Sequence, residues 1–96
     1  MPQIDLHGED RINASILVKT FINDNYKIGN EEFAIIHGIG KGILKKEVYN
    51  VLKKDKRVIE FGTDYFNIGC TLVRICKKID KESNICYNMH HKSKGE

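Results

Sequence analysis

The chain has 96 residues, room for one domain with one modest core. With 41 % apolar and 30 % charged residues it has the make-up of an ordinary globular protein, and no apolar stretch approaches the roughly 20 residues that span a bilayer as a helix. The net charge of +3 is too small to define a partner, and the three cysteines (Cys70, Cys76 and Cys86) lack the spacing of a disulfide scaffold.

A reduced chain with free thiols is therefore expected. The start, Met1-Pro2-Gln3-Ile4-Asp5, does not read as a signal peptide, so the expected location is cytoplasmic. Charge is unevenly spread. From Met1 to Gly40 the acids Asp5, Glu9, Asp10, Asp24, Glu31 and Glu32 outnumber Arg11, Lys19 and Lys27. From Lys41 to Arg57 the bases Lys41, Lys45, Lys46, Lys53, Lys54, Lys56 and Arg57 face only Glu47 and Asp55. Such a local excess attracts polyanions through counterion release; on charge alone it serves equally as a solvated helix face.

In chain order, Gln3 to Leu6 reads as a short strand, and Asp10 as the N-cap of a helix running to about Tyr26. Ala14, Leu17, Val18 and Phe21 form its buried stripe, and Gly29-Asn30 ends it. Phe33-Ala34-Ile35-Ile36 is a continuous apolar run, as expected for a strand covered on both faces. A second helix follows the glycines, with Leu44, Val48, Val51 and Leu52 inward and Lys45, Lys46, Lys53 and Lys54 largely on other faces. Val58 to Phe61 and Cys70 to Ile75 are two further strands, joined by a loop containing Gly62, Asp64 and Gly69. The order is βαβαββ. Right-handed crossovers give the first three strands one direction, and the last connection favours an antiparallel final strand. Residues 1–79 form the expected domain, and 80–96, with little apolar content, a polar tail. Cys86, His90 and His91 in that tail match no standard zinc spacing.

Two blocks carry candidate chemistry. In Ile4-Asp5-Leu6-His7-Gly8, Asp5 and His7 project to one side of an extended chain while Leu6 turns into the core. An acid beside an imidazole suits proton transfer near neutral pH, or the holding of a divalent ion against phosphate oxygens; its plainer reading is a surface acid with a histidine capping the next helix. In His37-Gly38-Ile39-Gly40-Lys41-Gly42, the glycines Gly38, Gly40 and Gly42 allow positive φ and close approach, successive amides make an anion nest at a helix start, and Lys41 adds a charge. Ile43 stands where a dinucleotide fingerprint needs glycine, and no Gly-Lys-Ser/Thr follows, which excludes a Walker loop. Both blocks follow a strand. If the strands are parallel neighbours, both loops open at one sheet edge.

Together the blocks resemble the Leu-Asp-Leu-His-Gly and His/Thr-Gly-x-Gly-x-Gly motifs of Smr (small MutS-related) domains, and Gly69-Cys70-Thr71-Leu72-Val73 also follows that family's pattern. The resemblance covers about residues 3 to 78. It implies a two-layer α/β sandwich, a four-stranded mixed sheet with two helices, like the C-terminal domain of translation initiation factor 3. It also implies nucleic-acid binding and, in several members, endonuclease activity on RNA or DNA. On that basis Asp5, His7 and His37 are the expected catalytic residues, and Gly8, Gly38, Gly40, Lys41, Gly42, Lys45 and Lys46 the expected phosphate-binding ones. Cleavage by RNA's own 2′-hydroxyl needs no metal and uses His7 as acid or base, whereas attack by water calls for a divalent ion, Mg²⁺ or Mn²⁺, near Asp5. The expected partner is RNA or DNA, with the ribosome as a larger body that targets it, and the chain is expected to be a monomer. The rival readings are a non-catalytic RNA- or ribosome-binding module and a small nucleotide or phosphate binder using the glycine loop alone.

Overall fold

The computed structural model describes residues 1–77; the expected tail, with Cys86, His90 and His91, lies outside the described residues. The elements are β1 (Gln3–Asp5), α1 (Arg11–Ile28), β2 (Glu32–Ile36), α2 (Ile43–Lys54), β3 (Val58–Asp64) and β4 (Asn67–Ile75). They build one four-stranded sheet in the order β1-β2-β4-β3, with β1 parallel to β2 and β4 antiparallel to both its neighbours. The first three strands share a direction and the last opposes them, as expected for strands joined through helices and a closing hairpin. The insertion of β4 between β2 and β3 does not follow from the crossovers and is set by the pairing itself.

Local chemistry accounts for the helix boundaries. Asp10 caps α1, its carboxylate accepting the Asn13 N–H at 2.7 Å, and Gly29, at φ 80°, closes it in the left-handed conformation. The buried stripe is Ala14, Val18, Ile22 and Asn25, with Leu17 and Phe21 on its flank, one position further round than expected. Asn25 is buried but satisfied. It donates to the Phe21 carbonyl at 2.8 Å and accepts from the Asn30 side chain at 2.8 Å, while Asn30 also donates to the Glu32 carbonyl, which fixes the entry into β2. On the other helix Val48, Val51 and Leu52 are inward. Both helices meet the same side of the sheet, where Leu6, Phe33, Ile35, Val58, Phe61, Val73 and Ile75 complete a single core.

Three expectations need correction. The helices cover one sheet face only: on the other, Leu72, paired with Ala34, is 38 % exposed, so β2 is not sandwiched on both sides. The supposed loop at 62–69 is mostly strand. β3 continues to Asp64 and β4 begins at Asn67, leaving a two-residue turn, because Gly62 pairs in register with Leu72 and an irregularity at Thr63/Asp64 absorbs the extra residues of β4. Finally, Cys70 is a free, buried thiol, but Cys76 is disulfide-bonded. Arg57, counted among the surface bases, is a fastener between elements: it pairs with Asp55 at 3.0 Å, donates to Asn23 on α1 and lies 5.2 Å from the Tyr26 ring centre.

Candidate functional site

Parallel pairing of β1 with β2 sets Asp5 opposite Ile36, and the Leu6 N–H donates to the Ile36 carbonyl at 2.8 Å. The acid–histidine loop and the glycine loop therefore leave the sheet as neighbours at one edge. Leu6, with no exposed surface, anchors the first loop in the core, so Asp5 and His7 on either side of it stay exposed. The Asp5 carboxylate accepts the main-chain N–H of His7 at 2.9 Å, not a proton from its ring. Among the described residues the His7 ring has no hydrogen bond. Gly8, at φ 84°, turns the chain toward the Asp10 cap.

The second loop is bolted down. The Gly69 carbonyl on β4 accepts both the His37 and Gly38 main-chain N–H groups, at 2.9 and 3.0 Å. A Cβ at position 69 would stand 3.2 Å from the Gly38 backbone, which is why glycine occupies that position. The His37 ring is 6 % exposed and engaged at both nitrogens: Nδ1 lies 2.9 Å from the Gly38 carbonyl and Nε2 lies 2.7 Å from the Thr71 hydroxyl. A carbonyl only accepts, so Nδ1 carries the proton and Nε2 accepts from Thr71. Burial lowers the pKa of His37, the Gly38 hydrogen bond opposes this, and nearby Lys45 adds to the lowering. His37 is thus a neutral bracket, drawn to the helix-covered face by Thr71, whereas Asp5 shares its register with the opposite face.

Of the loop glycines, Gly38 (φ 82°) and Gly42 (φ 80°) require the left-handed region, while Gly40 does not. Gly42 is the N-cap of α2 and supplies no side-chain hydrogen bond, so the first N–H groups of that helix face the loop without a capping side chain. Lys41 and Lys46 are exposed; Lys45 is partly buried, its Nζ 5.5 Å from the Tyr49 ring centre. An uncapped helix start, left-handed glycines and three lysines have the chemistry of an anion cradle. No group of three or more His, Cys, Asp or Glu side chains among the described residues is placed to hold a metal ion. Sequence reasoning missed Thr71 as the partner of His37. The available signal was its parity: it is a polar residue in the inward register of Val73 and Ile75.

Fold and edge together define a two-layer α/β domain with an acid–histidine loop beside a glycine-rich anion loop. The chain belongs to the Smr domain family, whose family model matches residues 4–75, a span that holds both blocks. It is 36 % identical over 72 residues to endonuclease MutS2 of Clostridium kluyveri, covering 75 % of this chain and 9 % of that protein. With endonuclease MutS2 of Helicobacter pylori it shares 39 % identity over 75 residues, covering 78 % of this chain and 10 % of the relative. The chain thus spans about a tenth of the length of these curated relatives. Among solved structures, the Smr domain of Thermus thermophilus MutS2 superposes with a TM-score of 0.75 at 25 % identity, over 79 % of this chain and 99 % of that one. YdaL, a stand-alone small MutS-related protein from Escherichia coli, shares the fold with a TM-score of 0.72 at 21 % identity, over 78 % of this chain and 64 % of its own.

Proposed function

We propose that this domain binds nucleic acid and cleaves its phosphodiester bonds as an Smr-type endonuclease, with RNA favoured over DNA. The observation that carries the reading is the clamp of Leu6 to Ile36, which sets an exposed acid and imidazole beside an anion cradle at one sheet edge. The similarity to endonuclease MutS2 supports it. The cradle at Gly38, Gly40, Lys41 and Gly42 holds a phosphate, with open space beside each of these glycines. Of the two histidines only His7 has a ring free to move a proton; His37 holds the loop in place. With RNA, the 2′-oxygen forms a new bond to phosphorus as the bond to the 5′-oxygen breaks. His7 as base takes the 2′-hydroxyl proton while water protonates the leaving 5′-oxygen, or as acid protonates that oxygen while water takes the 2′ proton. Asp5 orders the His7 backbone. RNA brings its own nucleophile within reach of an imidazole able to move its proton, and this favours RNA. On DNA, Asp5 and the phosphate oxygens would supply the donors for Mg²⁺ or Mn²⁺, the usual mixture of one or two carboxylates and substrate oxygens.

Incubation of purified protein with end-labelled single-stranded RNA and with plasmid DNA, each in Mg²⁺ and in EDTA, tests this. Cleavage of RNA in EDTA to 2′,3′-cyclic phosphate ends is expected. Ends bearing 5′-phosphate, formed only with the metal, would replace 2′-hydroxyl attack by water attack. Binding without cleavage would identify a non-catalytic RNA- or ribosome-binding module.

A further inference from the structure

β3 runs with β2, and β4 against it, so the turn between β3 and β4 emerges at the same sheet edge as the two loops of the site. At its tip Tyr65 is 93 % exposed and Phe66 fully exposed. Two-residue hairpin turns favour glycine or asparagine at positive φ, yet no residue other than glycine has positive φ among the described residues, and two aromatic rings occupy this turn. Side chains hold it instead: Asp64 accepts the Phe66 N–H at 2.9 Å, and Asn67 accepts the Gly69 N–H at 3.1 Å. Neither ring gains burial, so folding does not explain them. The tip is also tied to the cradle, because Gly69 carries the carbonyl that binds His37 and Gly38. Only Asn67 and Ile68 separate Phe66 from Gly69, a span of at most about 10 Å at 3.3 Å per residue.

We infer that Tyr65 and Phe66 form a stacking platform for unpaired bases of a strand whose phosphate lies in the Gly38–Gly42 cradle, which makes single-stranded or looped nucleic acid the substrate class. Bases within a duplex are already stacked on one another, while a splayed base offers its face to an exposed ring. Ile39 in the glycine loop and Ile68 beside the turn are also exposed, and apolar side chains suit bases rather than phosphates. The inference rests on the nucleic-acid reading above.

Fluorescence anisotropy with a labelled single strand, an abasic strand of equal length and a duplex separates the two. The wild-type chain is expected to bind the base-bearing strand about ten-fold more tightly than the abasic strand for each base stacked. Tyr65→Ser with Phe66→Ser should erase that preference and leave abasic affinity unchanged, which also shows that the variant is folded. Phe66→Trp should keep the preference and Phe66→Leu should reduce it, since leucine is apolar without a π face. Equal wild-type affinity for both strands, or a preference that survives the double substitution, overturns the platform and leaves the nucleic-acid reading standing. No binding of any oligonucleotide by the wild-type chain removes both.

Discussion

The loops after β1 and β2 each carry a histidine at the same sheet edge, and they are built in opposite ways. The first is held by Leu6 and by one main-chain bond to Asp5, and leaves His7 exposed, its ring unengaged among the described residues. The second is tied to β4 through two N–H groups and the Nε2 of His37, while Nδ1 braces the loop's own Gly38 carbonyl. One loop leaves its imidazole exposed, and the other surrenders its imidazole to fix the glycine loop. Identical residue types therefore take different parts according to what lies across the sheet from them.

The largest effect expected from this contrast is kinetic. Asp5→Ala with His7→Ala should lower the cleavage rate of a labelled RNA by about 10²- to 10⁴-fold while affinity changes by no more than about two-fold, since a proton carrier is lost and the cationic surface is kept. Rates and affinities measured on the same oligonucleotide check this, and full cleavage by the double variant refutes the assignment. Thr71→Val should act on the other loop. It leaves the buried His37 Nε2 without a partner and should cost about 1–3 kcal/mol in urea unfolding, whereas His7→Ala should stay within about 0.5 kcal/mol of wild type.

Smaller effects sharpen the picture. Replacing Lys41, Lys45 and Lys46 by Gln should weaken oligonucleotide binding and flatten its dependence on salt, by about 0.7 in logarithmic slope for each single-strand phosphate that is no longer neutralised. An unchanged slope would make these lysines a solvated face. The smallest effect is in pH. Because the folded pKa of His37 lies below 6.5, the unfolded chain takes up its proton first as pH falls, so stability declines from about pH 6.5 downward until the folded value is passed. Thermal unfolding across that range should show the decline in His7→Ala, and His37→Gln should remove the share due to this ring.

Much of the fold was legible because its signals are local. Asp10 and Gly29 bracket α1, the run at 33–36 is a strand, and the parallel pairing of β1 with β2, joined through a helix, brings the two motif loops to one edge. The part of His37 was not legible, since its partner Thr71 lies 34 residues away on a strand whose insertion between β2 and β3 has no local signal. Glycines at 62 and 69 suggested a loop, yet one pairs in register and the other makes room for Gly38. The cradle was only partly legible. Gly40, a natural choice for the strained position, has ordinary φ, and Gly38 and Gly42 carry the left-handed geometry.

The division of labour between the two loops is tested most directly by single-turnover cleavage and equilibrium binding of one labelled single-stranded RNA by His7→Ala and by Gly42→Val. The account predicts that His7→Ala binds normally and does not cleave. Gly42→Val, strained at its left-handed cap, should bind weakly yet approach the wild-type cleavage rate once saturated. Cleavage by His7→Ala at the wild-type rate, or a Gly42→Val protein that binds normally but cannot cleave, would contradict it.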